Sequence, residues 1–208
     1  NNIEWIEHYK GARKYHSKPP TNRWFWNYDF KVVPGEFFFS EVERRRIDLN
    51  RHFGQFVVIE PNVEWQKPIA PNKDWGENNY QEITDRLIMN GIKVLQFIHK
   101  NTKRRLLRVA TLQCSLRDAI GVLSLAKLYI GPEGGMHHAA AAVGIRAVIL
   151  WGDWSPPQVV GYDFHINLTG GGHEACGIIG PCEHCRKIMA KITVDEVWDS
   201  VMQSWQLH

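Results

Sequence analysis

Phe56-Val57-Val58-Ile59 are four consecutive apolar residues, followed by Glu60 and stopped at Pro61. A strand with one wet face alternates apolar and polar residues. A strand without alternation is covered on both faces, as in a parallel sheet sandwiched between helices. The chain repeats this arrangement. Tyr80 to Met89 has an amphipathic helical pattern closed by Asn90-Gly91, Lys93 to Phe97 reads as the next strand, and Leu107 to Ala110 as a short third. Ser115, with Asp118 three residues on, predicts the start of a helix over Leu116 to Ala126. A strand at Leu128 to Ile130, a helix at Met136 to Val143, a strand at Ala147 to Leu150, a last strand at Phe164 to Leu168 and a closing helix at Val194 to Trp205 complete the pattern.

Strands alternating with helices join through right-handed crossovers into one sheet. The expected fold class is therefore α/β, a Rossmann-like parallel sheet with helices on both faces over residues 51–208. Residues 1–50 lack that rhythm and read as an irregular N-terminal extension or the remnant of another lobe. Within them Pro19-Pro20 breaks the chain, Val33-Pro34-Gly35 reads as a turn, and Ser40 to Leu49 reads as a short helix capped by Ser40 with Glu41 and Glu43 in its first turn.

Composition excludes several classes. With 44% hydrophobic and 23% charged residues, disorder and coiled coil are unattractive. The net charge of +3 is too mild for a nucleic-acid partner. The clusters Arg44-Arg45-Arg46 and Lys103, Arg104, Arg105, Arg108 read as solvated faces. The most apolar stretch, Ala139 to Leu150, is broken by Gly144 and Arg146 and is too short to span a bilayer. The chain opens on Asn1 with no secretory pattern, as an excised or processed piece would, and four cysteines do not make a secreted disulfide scaffold. The expected location is cytoplasmic, or peripheral at an inner membrane.

The most informative stretch runs from Ile130 through Gly131-Pro132-Glu133-Gly134-Gly135-Met136-His137-His138 into Ala139 to Ala142. A strand ends, a glycine-rich turn follows, and a helix of small residues begins. Amides at a helix N-terminus bind anions, and glycines let a ligand approach the backbone. In open α/β sheets such a turn lies at the carboxyl ends of the strands, where ligands sit. Glycine pairs alone are weak evidence, but a histidine in the first helical turn joins the same anion site. Two adjacent histidines cannot both face it, and His138 is the expected one.

This stretch resembles the signature of the family 9 glycosyltransferases, heptosyltransferase-like enzymes with two lobes of GT-B type. In that signature an acidic residue, a small residue, Gly, an apolar residue, any residue and His follow a strand. Those places hold Glu133, Gly134, Gly135, Met136, His137 and His138, with Glu133 where the family usually has Asp. Val143 to Gly152 continues the likeness. Lys73-Asp74-Trp75 stands where the family has a Lys followed two residues later by Trp, and Ser115 falls in the segment that lines its nucleobase pocket.

The likeness covers roughly Phe56 to Trp205. It implies a donor-binding lobe that takes a nucleotide sugar, an ADP-sugar above others, through Lys73, Ser115, Glu133, Gly134, Gly135, Met136 and His138. Trp151, Gly152 and Asp153 would border the same cleft. The resemblance further implies inverting transfer to a glycan or lipid-linked hydroxyl, with an acceptor-binding lobe or chain as partner and no cofactor. The family's base is an Asp of the N-terminal lobe. Asp29, the only Asp before Asp48, does not match its context. A non-catalytic nucleotide-sugar-binding module therefore stays open, as does a nucleotide-sugar epimerase, which needs paired carboxylates near the sugar.

His173, Cys176, Cys182 and Cys185 have the spacing of soft metal ligands. Cysteines in this tail occur often in sequences that resemble this one and imply a staple rather than chemistry. Reduced or paired cysteines are preferred here to a structural zinc at Cys176, Cys182 and Cys185.

Overall fold

The structure, a computed structural model, describes residues 13–15, 23–171 and 175–206, with backbone alone for residues 13–15, 25 and 52. Strands β1 (Arg13–Tyr15) and β2 (Trp24–Trp26) form an antiparallel pair. Six further strands form one parallel sheet: β3 (Phe56–Ile59), β4 (Lys93–Ile98), β5 (Ala110–Gln113), β6 (Leu128–Pro132), β7 (Ala147–Trp151) and β8 (Ile166–Thr169). Their order is β5-β4-β3-β6-β7-β8. The chain steps outward from β3 to β5, returns to the other side of β3 as β6, and steps outward again. Where the direction reverses, the loops leaving β3 and β6 diverge and open a crevice at the strands' carboxyl ends.

The apolar run that anticipated β3 divides between two cores. Phe56 and Val58 enter the cluster on one face of the sheet, Val57 and Ile59 the cluster on the other, and all four are buried. Burial of each such side chain contributes about 1.5–3 kcal/mol. Helices cover both faces: α1 (Glu41–Asp48), α2 (Glu77–Met89), α3 (Leu116–Leu123), α4 (Gly135–Ala142), the single turn α5 (Pro157–Val160), α6 (Glu183–Lys191) and α7 (Val194–Gln206). Ser40 caps α1 in a full capping box with Glu43, and Gly91 closes α2 with a positive φ of 73°. Among the described residues no helix is long and apolar enough to cross a membrane.

Several elements depart from the sequence reading. The third strand starts at Ala110 rather than Leu107. Leu106 leaves the sheet line to bury itself and donates its amide to Gln96 Oε1, and Arg108 takes a positive φ of 63° before the strand begins. Helix α2 begins three residues early, at Glu77. Helix α6, β1 and β2 stand outside the strand-helix pattern expected from the sequence. Nor is the second basic cluster a uniformly solvated face. Arg104 stacks on Trp65, its guanidinium 4.9 Å from the ring centroid, and pairs with Asp74 at 2.7 Å. The described part of residues 23–50 lies against the sheet domain: Trp24 and Trp26 pack on Trp154 with ring centroids 5.8 and 5.5 Å away, and Trp24 donates its amide to Gly177.

Candidate functional site

The reversal of strand order leaves a crevice of about 720 Å³. Glu60 from the end of β3, Pro132 and Glu133 from the end of β6, and Gly134, Gly135 and Met136 from the start of α4 line it, together with Lys73. The first hydrogen bond of α4 runs from the His138 amide to the Gly134 carbonyl at 3.3 Å. The amides of Gly135, Met136 and His137 therefore precede the helical ladder and carry the positive end of the helix dipole. A Cβ built on Gly134 or Gly135 would meet nothing within 4 Å. The backbone of Gly134 is extended, with φ 166°, so neither conformation nor packing demands glycine there. What its bare Cα leaves is room over the helix end.

Lys73 closes the 3-10 turn Ala70–Lys73 and forms an ion pair with Glu133. Both side chains are largely buried, 15% and 12% exposed, and the Lys73 ammonium also sits 4.7 Å from the centroid of the Trp154 ring. A buried pair costs desolvation that its own attraction barely offsets. Its value here is positional, since it holds an ammonium at the rim of an anion-ready helix end. Glu60 was not singled out from the sequence. It accepts the Asn62 amide, and burial raises its carboxyl from 4.5 to about 7. The signal was present, because a charged residue closing an otherwise apolar buried strand has to be held by something.

Five of the seven expected site residues thus come together: Lys73, Glu133, Gly134, Gly135 and Met136. Ser115 does not join them. Its hydroxyl caps α3 by accepting the Asp118 amide at 3.1 Å, while the neighbouring Leu116 reaches the crevice. His138 is also placed otherwise. Its Nδ1 meets the Tyr162 hydroxyl at 2.9 Å, away from the crevice lining. His137 turns fully into the core, where its ring packs on Trp151, Tyr162 and His165 at 5.1 to 5.5 Å. Among the described residues neither of its ring nitrogens has a hydrogen-bond partner. Burial pushes it well below 6.5, and His165 is lowered to about 4 for the same reason.

Trp151 is buried beside His137, and Gly152 lies under the Asn72 carbonyl. Asp153 accepts from His184 at 3.1 Å, so none of these three borders the crevice. Behind the Lys73 turn, Cys176, Cys182 and Cys185 converge, with their sulfurs within 4.8 Å of one another. The Cys185 thiol, hydrogen-bonded to Cys176, draws Cys176 down to about 6, and that same contact pushes Cys185 up. His173 lies outside the described residues.

The family model for glycosyltransferase family 9 (heptosyltransferase) matches residues 20–191. The chain belongs to glycosyltransferase family 9. This family 9 chain is similar in fold to the family 9 glycosyl transferase of Veillonella parvula, at 14% identity and TM-score 0.62, over 83% of this chain and 54% of that one. It is likewise similar to the E. coli ADP-heptose LPS heptosyltransferase II, at 17% identity and TM-score 0.58, over 83% and 54%. A third is TibC of enterotoxigenic E. coli, an iron-containing dodecameric glycosyltransferase, at 15% identity and TM-score 0.57, over 74% and 45%. TibC has also been solved in complex with ADP-D-beta-D-heptose, at TM-score 0.55 to this chain. The family 9 chain spans about half the length of these proteins. No curated protein sequence matches it.

Proposed function

We propose that the crevice binds a nucleotide-diphosphate sugar, an ADP-sugar, and that the chain serves transfer of the sugar, with inversion, to a glycan or lipid-linked hydroxyl. The observation that carries this reading is the meeting of the open amide end of α4, bared by Gly134 and Gly135, with the Lys73 ammonium at the switch point of the sheet. Family membership supports glycosyl transfer. The choice of ADP rests on two proteins of like fold, one named for ADP-heptose and one solved with it.

In this reading the acceptor oxygen bonds to the anomeric carbon while the bond to the diphosphate oxygen breaks, and the acceptor's proton passes to a base. The departing diphosphate gathers negative charge in the crevice. There the amides that precede the α4 ladder and the Lys73 ammonium offset that charge. Glu133 keeps Lys73 extended toward the crevice until phosphate oxygens share it. The base belongs to an acceptor-binding lobe or partner chain. Asp29, which does not match the family's base in its sequence context, sits exposed in a turn with its amide on the Asn27 side chain.

Calorimetric titration with ADP, UDP and GDP tests the reading. ADP is expected to bind most tightly, and no heat with any of the three at millimolar concentration would overturn it. The second reading, a binding module without turnover, is favoured by Asp29 standing exposed in a turn and outside the crevice lining. Transfer of sugar from an ADP-sugar to an added acceptor by the purified chain would exclude it.

A further inference from the structure

The three cysteines behind the Lys73 turn are arranged for more than reduced packing. Cys176 Sγ lies 3.0 Å from Cys185 Sγ and 3.6 Å from Cys182 Sγ, and Cys182 and Cys185 are buried. A disulfide would use two of these sulfurs and leave the third thiol aimed at the same point. Three thiolates around one soft cation, each about 2.3 Å from it, stand roughly 3.8 Å apart, which side-chain adjustments of under an ångström supply here. Two of the three sit at the N-terminal end of α6, Cys182 as its cap residue and Cys185 in its first turn, where the helix dipole favours thiolate.

The cluster is also wired to the crevice. Asn72, fully buried and next to Lys73, donates its side-chain amide to the Gly180 carbonyl at 2.8 Å and accepts the Cys182 backbone amide at 2.7 Å. Its own carbonyl lies where a Cβ on Gly152 would be, 2.0 Å away, so the turn is seated directly on the chain leaving β7. Cys176 is fixed to the same segment through its amide on the Asp153 carbonyl at 2.8 Å. Pulling the three sulfurs together draws the 176–185 loop, Asn72 and the end of β7 into one body.

We propose that Cys176, Cys182 and Cys185 hold one soft divalent cation, zinc or ferrous iron, as a structural knuckle, and that Asn72 passes its rigidity to the Ala70–Lys73 turn and so fixes the Lys73 ammonium. Only the purpose of the fixed lysine rests on the nucleotide reading. The metal and its coupling to the turn do not, and they are tested without nucleotide.

The protein is purified under reducing conditions and its zinc and iron measured by inductively coupled plasma mass spectrometry. Backbone hydrogen exchange is then compared before and after a thiol-displacing reagent with chelator. About one equivalent of zinc or of iron is expected, and the analysis says which. Stripping should speed exchange at least tenfold in both 176–185 and 70–74, with re-addition of the same ion restoring it. Cys185→Ser should lose the metal, and wild-type stripping gives the same readout if that variant does not fold. Asn72→Ala should keep the metal and protection at 176–185 but lose protection at 70–74. Neither ion bound nor taken up on addition, or a Cys176–Cys185 disulfide by mass, overturns the site. Exchange at 70–74 that ignores the metal overturns the coupling.

Discussion

The first turn of α4 separates two unlike surroundings. Toward the crevice it presents Gly134, Gly135 and Met136, bare backbone with open space above it. One step around the helix, His137 enters a closed aromatic cluster with Trp151, Tyr162 and His165, and His138 reaches the Tyr162 hydroxyl. Adjacent residues of a helix diverge by about 100°, so a single turn serves both. The difference teaches that in this motif the groups left open toward the crevice are main-chain amides, while the histidines anchor the helix whose end exposes them.

The largest effect expected on that division is at His137. His137→Ala opens a cavity in the core beside Trp151 and should cost about 2–4 kcal/mol by urea denaturation, in the range of other large-to-small core changes. ADP affinity of the folded fraction should stay within about twofold of wild type, a margin well under the 1.4 kcal/mol that makes tenfold. A comparable loss of affinity with intact stability would place His137 on the ligand side after all.

The two surroundings also respond to pH with opposite signs. His137 and His165 are less basic folded than unfolded. Below about 6.5 the unfolded chain therefore takes up protons that the folded one does not, and stability falls as pH drops toward about 4. Glu60 behaves in reverse. Its carboxyl is held at about 7 against an ordinary 4.5, so the folded chain binds the extra proton in that window and stability falls as pH rises through it. Each group contributes up to about 1.4 kcal/mol per pH unit. Two histidines outweigh one carboxyl, so stability should climb from pH 5 to 6.5, and Glu60→Gln should steepen that climb. Chemical denaturation across pH 5–8 checks it, and an unchanged slope in Glu60→Gln would mean that Glu60 titrates as if in water.

On the crevice side, Lys73→Ala should weaken ADP binding by roughly 1–3 kcal/mol, the range for a lost charge-assisted contact, and leave adenosine binding unchanged. Calorimetry with both ligands separates a phosphate contact from a general loss of shape, which would lower both alike. The smallest effect belongs to His138. His138→Ala removes one bond to Tyr162 and should cost about 0.5–1.5 kcal/mol of stability, matched by Tyr162→Phe, with ADP affinity nearly unchanged. A tenfold loss of affinity in His138→Ala, absent in Tyr162→Phe, would return the histidine to the ligand.

The parts of the molecule that sequence made legible are those where one local pattern has one physical outcome. The unbroken apolar run at Phe56 to Ile59 reads as a doubly covered strand and is one, and Gly134-Gly135, weak evidence alone, gained meaning from the strand before and the small-residue helix after. Lys73 and Glu133, sixty residues apart, were each expected at the site, although nothing local showed that they would pair. The histidine assignment turned on helical phase, which shifts by about 100° for each residue by which the start of the helix moves. Ser115 was legible as a cap and performs that role. Asn72 and Arg104 were illegible because a buried amide and a half-buried guanidinium look like loop residues until their partners, Gly180 with Cys182 and Asp74, arrive from elsewhere in the chain.

The reversal in strand order has a consequence for how the protein folds. β3 and β6 are neighbours in the sheet, yet β4, β5 and the helices between them separate the two in sequence. Their pairing is a high-contact-order step, and loop-closure entropy makes such steps slow relative to local helix formation. The crevice has no walls until that step is complete, because one comes from the end of β3 and the other from the end of β6. A molecule that fits it therefore has affinity for the finished lobe alone. At a hundred times its dissociation constant it adds about 2.7 kcal/mol to the folded state, a stabilisation lost with any opening that parts the two central strands.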